Sequence, residues 1–295
     1  MKILVTGSTG FVGWHLLKAL LEKEYEVHTI IRRESDASRI DTKAKIFRYD
    51  EDINTLVNYF QDESFDGVIH LASLFLATHE KENIAELINS NIKFGTELLE
   101  ASKIARTKWF INTGTFWQNY NNEAYNPVNL YAATKEAFEN IAKYYVETSD
   151  LIFTTIKLND TFGPNDTRNK VFNLWSKIAK TGETLEMSAG EQLIEVSYIE
   201  DIVNAYILLI GHLDSDKAID FNQQAFVVKS DKRLTLRELS KVFEEVACVK
   251  LNIKWGARPY REREVMLPWE NGVNIPGWKQ NYTLQEAIKK MIEEN

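Results

Sequence analysis

Lys2-Ile-Leu-Val-Thr-Gly7-Ser-Thr-Gly10-Phe-Val-Gly13 stands at the head of the chain, and Phe11–Lys23 then places Leu16, Leu17, Leu20 and Leu21 on one helical face. A short apolar run that passes through three glycines into a leucine-rich helix reads as strand, tight turn and helix. Glycine lets the backbone turn sharply and lets a pyrophosphate come close, at the positive end of the next helix. Gly7, Gly10 and Gly13 are the expected pyrophosphate turn, and Thr9, Phe11 and Val12 within it are expected cofactor-binding residues. The spacing is G-x-x-G-x-x-G rather than G-x-G-x-x-G, and three glycines alone could be an ordinary strand-to-helix turn. Their place between the first strand and the first helix favours a dinucleotide site.

Beyond that unit the pattern repeats. Glu26–Arg32, Lys45–Tyr49, Gly67–Ala72, Trp109–Asn112 and Ile152–Leu158 read as buried strands. Ile53–Phe60, Ile84–Ile104 and Leu130–Thr148 read as helices. Strand–helix alternation implies an α/β fold, a doubly wound parallel sheet of the Rossmann type. After Gly163-Pro164 the alternation loosens. Asn169–Lys180, Glu200–Leu213, Leu234–Val246 and Thr283–Glu293 read as helices and Leu193–Tyr198 as extended; Thr283 with Glu286 forms a capping-box pattern. The expected division is a nucleotide-binding domain over 1–162 and a smaller substrate-binding lobe over 163–295, with segments near 190–215 packing back on the first.

Composition narrows the class. The 295 residues are 44% hydrophobic and 26% charged, as in a soluble globular protein. The longest apolar run, Ala205 to Ile210, is too short to cross a bilayer, and the N-terminus lacks a signal-peptide pattern. With Cys248 as the sole cysteine there is no intramolecular disulfide framework, and the cytoplasm is the expected compartment. The net charge of −8 argues against nucleic acid as a partner but leaves room for a phosphorylated small molecule held by a few arginines. No membrane partner and no metal are expected.

Two further features carry chemistry. Arg32-Arg33 closes the second strand, where an acidic residue would bind the ribose hydroxyls of NAD. Two guanidinium groups there suit the 2′-phosphate of NADP(H), with NAD the alternative; they could also be solvated surface arginines. Tyr131-Ala-Ala-Thr-Lys135 puts a phenol and an ammonium four residues apart on one helix face. A free tyrosine has a pKa of about 10, and a nearby ammonium is expected to lower it. The phenol could then exchange a proton with an oxygen while the cofactor exchanges hydride with its carbon.

Taken together, these residues resemble the extended short-chain dehydrogenase/reductases, the nucleotide-sugar epimerase/dehydratase group, over nearly the whole chain. His70-Leu71-Ala72-Ser73 resembles that family's fourth-strand segment beside the cofactor, and Asn91-Ile-Lys-Phe-Gly95-Thr96 its N-x-x-G-T helix. Gly163-Pro164 resembles its Y-G-P turn and Ser197-Tyr198-Ile-Glu-Asp201 its V-Y-V-D-D segment. The resemblance implies Leu71, Ala72, Ser73 and Asn91 beside the cofactor and Asp50 near its adenine. It also implies Lys135 on the cofactor ribose and a homodimer formed through the Ile84–Ile104 and Leu130–Thr148 helices. A strand-end hydroxyl that bonds the reacting oxygen is implied as well: counting back from Trp117 gives Thr113, with Thr115 as the second choice.

The two residues after Thr113 narrow the reaction. Nucleotide-sugar dehydratases carry Asp-Glu at those positions, and this chain carries Gly114-Thr115, so dehydration is rejected. N-T-G-T-F-W-Q and N-P-V-N-L-Y-A-A-T-K further resemble reductases of the CDP-abequose and CDP-paratose synthase type. The expectation is NADPH-dependent reduction of the C4 ketone of a nucleotide-linked 4-keto-6-deoxy sugar for surface polysaccharide. The alternatives are an NAD-retaining nucleotide-sugar epimerase and a non-catalytic NADP-sensing regulator. On the substrate side, Arg168 and Lys170 come after the Gly163-Pro164 turn, and Arg258, Arg261 and Arg263 cluster later. Arg261 is chosen for the diphosphate, though a charged surface loop is an equal reading. Asp160 stands where many relatives carry asparagine, and it is retained as a substrate-side residue.

Overall fold

The computed structural model describes residues 1–230 and 232–294. The first half comprises β1 (Lys2–Thr6), α1 (Phe11–Glu22), β2 (Glu26–Arg32), β3 (Lys45–Tyr49), α2 (Ile53–Glu63), β4 (Gly67–His70), α3 (Ile84–Ile88), a π-helical turn (Asn89–Lys93), α4 (Phe94–Ala105), β5 (Trp109–Thr115), α5 (Leu130–Glu147) and β6 (Ile152–Leu158). The remainder comprises β7 (Asp160–Phe162), α6 (Val171–Thr181), β8 (Leu185–Glu186), β9 (Leu193–Ile194), β10 (Val196–Tyr198), α7 (Ile199–Leu213), β11 (Ala225–Val227), β12 (Leu234–Thr235), α8 (Leu236–Ala247), β13 (Ile253–Lys254), β14 (Val273–Asn274) and α9 (Leu284–Glu293).

One parallel sheet of eight strands has the order β14-β11-β6-β5-β4-β1-β2-β3. The chain starts in the middle at β1, winds out to β3, returns to β4 beside β1 and continues to the other edge. This is the doubly wound order, and it leaves a crevice at the carboxyl ends of β1 and β4 where the winding reverses.

Alternation along each strand sorts residues between the two helical layers. Leu4, Ile30, Val68 and Phe110 belong to the core with Leu56 and Phe60 of α2, Leu98 of α4 and Phe138 of α5. Ile3, Val5, Ile69 and Ile111 belong to the opposite core, with Leu16, Leu17 and Leu20 of α1 and Leu209 and Ile210 of α7. Burying each such side chain is worth roughly 1.5–3 kcal/mol. Helix α7, from the second half, packs on α1.

Two sequence expectations need correction, and two short edge strands have no expectation at all. The pattern over Ile84–Ile104 is not one helix but α3, the π turn and α4. The turn brings Asn91 to the Ser73–Leu74 loop, and at Gly95 a Cβ would come within 2.5 Å of the Phe138 ring. A single extra residue per turn is how a helix changes face without ending. Strand β5 does not stop near Asn112, because Thr113, Gly114 and Thr115 pair with Ile156, Lys157 and Leu158. Finally, β11 and β14 extend the sheet beyond β6, although three and two residues are too few to show a period. The Thr283–Glu286 capping box forms as its pattern predicts.

Gly13 is the tightest point of the first unit: a Cβ there would lie 2.1 Å from the Gly7 carbonyl oxygen. Gly13→Ala is expected to lower unfolding stability by about 1–3 kcal/mol, read as a lower urea midpoint. An unchanged midpoint would mean that the turn and α1 separate freely.

Candidate active site

The β1–α1 turn is fixed by backbone contact. Gly7 has φ of 75°, and a Cβ there would stand 2.7 Å from the Ala72 amide nitrogen and 2.9 Å from the Leu71 carbonyl carbon. Thr6 reinforces the approach, its hydroxyl bonding His70 Nδ1 at 2.8 Å and accepting from the Ala72 amide at 3.2 Å. His70 is fully buried, and burial with the Lys135 charge nearby pushes its pKa down to about 3, so it is neutral. Gly10 precedes α1 with no side-chain cap, and the first turn of α1 holds no acidic residue. The leading amides of α1 are thus left for an anion.

A cleft of about 570 Å³ opens above this turn, at the carboxyl ends of β1, β4, β5 and β6. Gly7, Gly10, Phe11, Val12 and Gly13 line one end, with Leu71 and Ser73 beside them. Thr113, Thr115 and Tyr131 line the middle; Asp160, Arg168 and Arg261 line the far side. Thr9 is exposed on the turn, and Ala72 stands behind Gly7.

Tyr131 enters on the first turn of α5, which Asn129 caps by accepting from the Ala132 amide at 3.0 Å. Lys135 comes one turn later, almost wholly buried, its Nζ 6.0 Å from the Tyr131 ring centre. Burial lowers the lysine's pKa to about 8, with Glu139 pulling it back up. The expected depression of the phenol is not found in the protein alone. Burial pushes Tyr131 up to about 12, and a hydrogen bond with Ser73 acts the other way. The physical reason is that desolvation of the phenolate outweighs any help from the ammonium. A phenol in this state is fully protonated near neutrality.

Asn91, expected beside the cofactor, spends its amide on protein partners instead. Its Oδ1 accepts from the Leu74 amide at 2.7 Å and the Ser73 hydroxyl at 3.2 Å. Its Nδ2 donates to the Leu74 carbonyl and the Thr134 hydroxyl, both at 3.0 Å. The π turn therefore staples the Ser73–Leu74 loop to α5. Thr113 bonds the Tyr206 hydroxyl at 2.7 Å, while Thr115 caps the turn after β5, accepting from the Trp117 amide at 3.3 Å. Tyr206 sits inside the apolar run of α7, where no sequence spacing marks it as a site residue.

At the outer end, Arg32 and Arg33 are exposed past β2. Arg33 leans on Asp50 at 3.5 Å, whose carboxylate Thr55 also holds at 2.8 Å. The Arg32 guanidinium has no ion pair or hydrogen bond among the described residues. Arg48 braces the bend, donating to the Arg33 carbonyl at 2.7 Å and the Ser35 carbonyl at 3.1 Å. On the far side each cation carries an acid and an aromatic. Arg168 pairs with Asp166 at 2.7 Å over Phe11, Lys170 with Asp160 at 2.9 Å over Phe75, and Arg261 with Glu264 at 2.7 Å over Trp117. Arg263 bonds Asn126 over Tyr120. Of these partners, Asp166 and Glu264 stand only two and three residues from their cations, yet charged neighbours in a loop carry no periodic signal, and Phe75 lies far along the chain from Lys170.

A family model described as "NAD dependent epimerase/dehydratase family" matches residues 3–223. The chain belongs to that family. Its members are nucleotide-sugar-modifying enzymes with NAD(P)-dependent chemistry. CDP-abequose synthase of Salmonella muenchen is 26% identical over 99% of this chain and 97% of its own length. Among solved structures, UDP-glucose 4-epimerase of Thermotoga maritima, determined with UDP-glucose, has a TM-score of 0.87 at 22% identity, covering 100% of this chain and 98% of that one. UDP-glucuronic acid 4-epimerase of Bacillus cereus, determined with UDP-glucuronic acid and NAD, has a TM-score of 0.84 at 20% identity with the same coverage. These structures share the fold. Among the described residues, no helix is long and apolar enough to cross a membrane.

Tyr206→Phe should leave the Thr113 hydroxyl without its partner and lower stability by about 1 kcal/mol, measured by urea unfolding. A midpoint equal to that of the unaltered protein would show that Thr113 is held by something else.

Proposed function

We propose that the protein reduces the C4 ketone of a nucleotide-linked 4-keto-6-deoxy sugar with NADPH, in the making of a surface polysaccharide precursor. The observation that carries this reading is the exposed Arg32-Arg33 pair at the end of β2, with the Arg32 guanidinium unengaged among the described residues. A 2′-phosphate would find two charge-assisted donors there, as planar guanidinium groups provide. An enzyme that uses NADP as a co-substrate exchanges it each turnover, whereas an epimerase keeps NAD. The full-length similarity to CDP-abequose synthase supports the same direction.

The chain fits a dinucleotide on its own geometry: Gly7 and Gly13 form a cradle that Cβ atoms would fill, and the first turn of α1 has no competing cap or acid. Gly7, Thr9, Gly10, Phe11, Val12 and Gly13 would hold the pyrophosphate side. Leu71, Ala72 and Ser73 would flank the nicotinamide side, with Asn91 fixing that loop. Asp50 would sit at the adenine, and Arg32 and Arg33 at the ribose phosphate. When bound, NADPH supplies the hydride. Tyr131, neutral because it is buried, donates its proton to the oxygen that was the ketone. Lys135 would hold the nicotinamide ribose and keep a positive charge beside the nascent phenolate. Thr113, oriented by Tyr206, donates a hydrogen bond to the ketone oxygen. Thr115 and Asp160 face the sugar, and Arg168 and Arg261 the diphosphate. The cleft residues beyond Phe162 support reading residues 163–295 as the substrate side of the molecule. Exposed Ile84, Ile88, Ile104 and Tyr144 on α3, α4 and α5 support a homodimer through that layer.

Three outcomes are expected. NADPH should bind more tightly than NADH, and the Arg32→Ala/Arg33→Ala double variant should lose that preference, at roughly 1.5–3 kcal/mol; equal affinities in the unaltered protein would sink the NADP reading. Tyr131→Phe should still bind NADPH while turnover falls about 10²–10⁴-fold, and activity within a few-fold of normal would place the proton elsewhere. Deuteride from labelled NADPH should appear at C4 of the sugar with stoichiometric cofactor consumption. Purified protein that carries tightly bound NAD and interconverts two UDP-hexoses unaided would instead be an epimerase.

A further inference from the structure

Tyr131, Lys135 and Glu139 form one stripe on α5, each a turn beyond the last. The proposed reduction uses the first two. Glu139 lies inward of them, where α5 meets β5 and β6, and its Oε1 accepts from Gln118 Nε2 at 3.0 Å and Asn112 Nδ2 at 3.5 Å. The Gln118 carboxamide is a bridge. Its other end accepts from the Thr115 backbone amide at 2.8 Å, and its Nε2 also reaches Glu136 at 2.7 Å. A line of hydrogen bonds therefore runs from α5 through Gln118 to the cleft end of β5, which carries Thr113. Gly114 makes room for it. A Cβ there would come within 2.8 Å of Gln118 Oε1 and 3.0 Å of Glu139 Oε1.

We propose that Glu139 is a positioning residue: through Gln118 it sets the Thr113–Thr115 strand end against the Tyr131 face, and its carboxylate holds the proton on Lys135. This inference rests on the dinucleotide reading of the cleft. It also explains why position 114 is glycine here. The space a larger residue would fill is taken by the bridge between α5 and β5, so the missing carboxylate is a packing requirement as well as a chemical one.

The charged and titratable groups around Glu139 are Lys135, Glu136 and Lys143 on α5 and Lys157 on β6. Burial raises the pKa of Glu139, while Lys157, the Gln118 hydrogen bond and Lys135 pull it down and Glu136 pushes it up. Lys157 is tied to Asn119 at 3.1 Å and lies over Trp269, so it is fixed in place. Lys135, with a pKa near 8, faces the neutral His70 and Tyr131 as well, and Glu139 is the carboxylate whose charge raises it. Removing the Glu139 charge lowers that pKa further, so the ammonium is lost at lower pH.

The test is dinucleotide binding as a function of pH, read by tryptophan fluorescence quenching with whichever of NADP and NAD the unaltered protein binds. This readout needs no sugar substrate, so a protein that epimerises instead of reducing still gives an answer. Affinity in the unaltered protein should fall as pH rises through about 8. In Glu139→Gln, which keeps the shape, the fall should move to lower pH by roughly one unit, the scale for loss of one nearby charge. Glu139→Asp should restore most of the original profile. An unshifted profile in a folded Glu139→Gln variant overturns the proposal, with the cofactor reading intact. Failure of the unaltered protein to bind either dinucleotide overturns both.

Discussion

The cleft depends on how closely two backbones approach at Gly7. The β1–α1 turn lies against the Leu71–Ala72 peptide with no room for a side chain, and α1 in turn lies against the Gly7 carbonyl at Gly13. These contacts fix the axis of α1 relative to the end of β4, and with it the direction of the uncapped amides. Thr6 and His70 then lock the two strand ends with a buried hydrogen bond. Because His70 is kept neutral by burial, the lock does not change across the physiological pH range. A larger residue at Gly7 or Gly13 would tilt the helix away from the crevice that the winding of the sheet creates.

The protonation states of Tyr131 and Lys135 on α5 are set by burial more than by charge. Desolvation moves the phenol of Tyr131 up and the ammonium of Lys135 down. In the proposed reduction both shifts have a use. A phenol that never ionises on its own is a proton donor in every copy of the enzyme. A lysine near its midpoint is sensitive to its surroundings, and so a carboxylate one turn away can decide its state. The π turn serves the same end sterically, since Asn91 can satisfy all four of its amide positions only by joining the loop after β4 to α5.

The fold is legible in the sequence where periodicity runs long enough to register. β1 to β6 and the helices between them show alternating or 3.6-residue patterns, and their order gives the sheet. β11 and β14 are three and two residues long and carry no pattern, so their place at the edge comes only from tertiary packing. The break in the Ile84–Ile104 helix is hidden because a π turn preserves apolar spacing on both sides while shifting its face. For the site, Gly7 and Gly13, and Tyr131 and Lys135, lie close enough in sequence for their spacing to be read as a motif. Tyr206 reaches Thr113 across 93 residues of chain and Gln118 reaches Glu139 across 21, and each of the three looks in sequence like an ordinary core or helix residue. The direction of the Tyr131 shift is illegible for a related reason: sequence shows the neighbouring charge but not the depth of burial.

The far side of the cleft raises the question of how an acidic protein would accept a diphosphate. Arg168, Lys170 and Arg261 each already hold a carboxylate, so the wall is near neutral and its cations do not repel one another. Both arginines meet their carboxylate along the Nε–Nη2 edge, and Arg168 turns Nη2 to Thr161 as well. In both, Nη1 makes no hydrogen bond among the described residues. A planar guanidinium can serve a carboxylate on one edge and a phosphate on the other. Lysine has no such second edge fixed in place, and Lys170 would have to loosen its contact with Asp160. A substrate diphosphate would then be shared with Asp166 and Glu264 rather than displacing them, and the carboxylates would keep the arginine planes aligned for it. The aromatic faces of Phe11 and Trp117 beneath them restrict the same two planes from below. The wall is in this sense preorganised: its orientation is already fixed before any anion arrives, which reduces the ordering that binding would otherwise require.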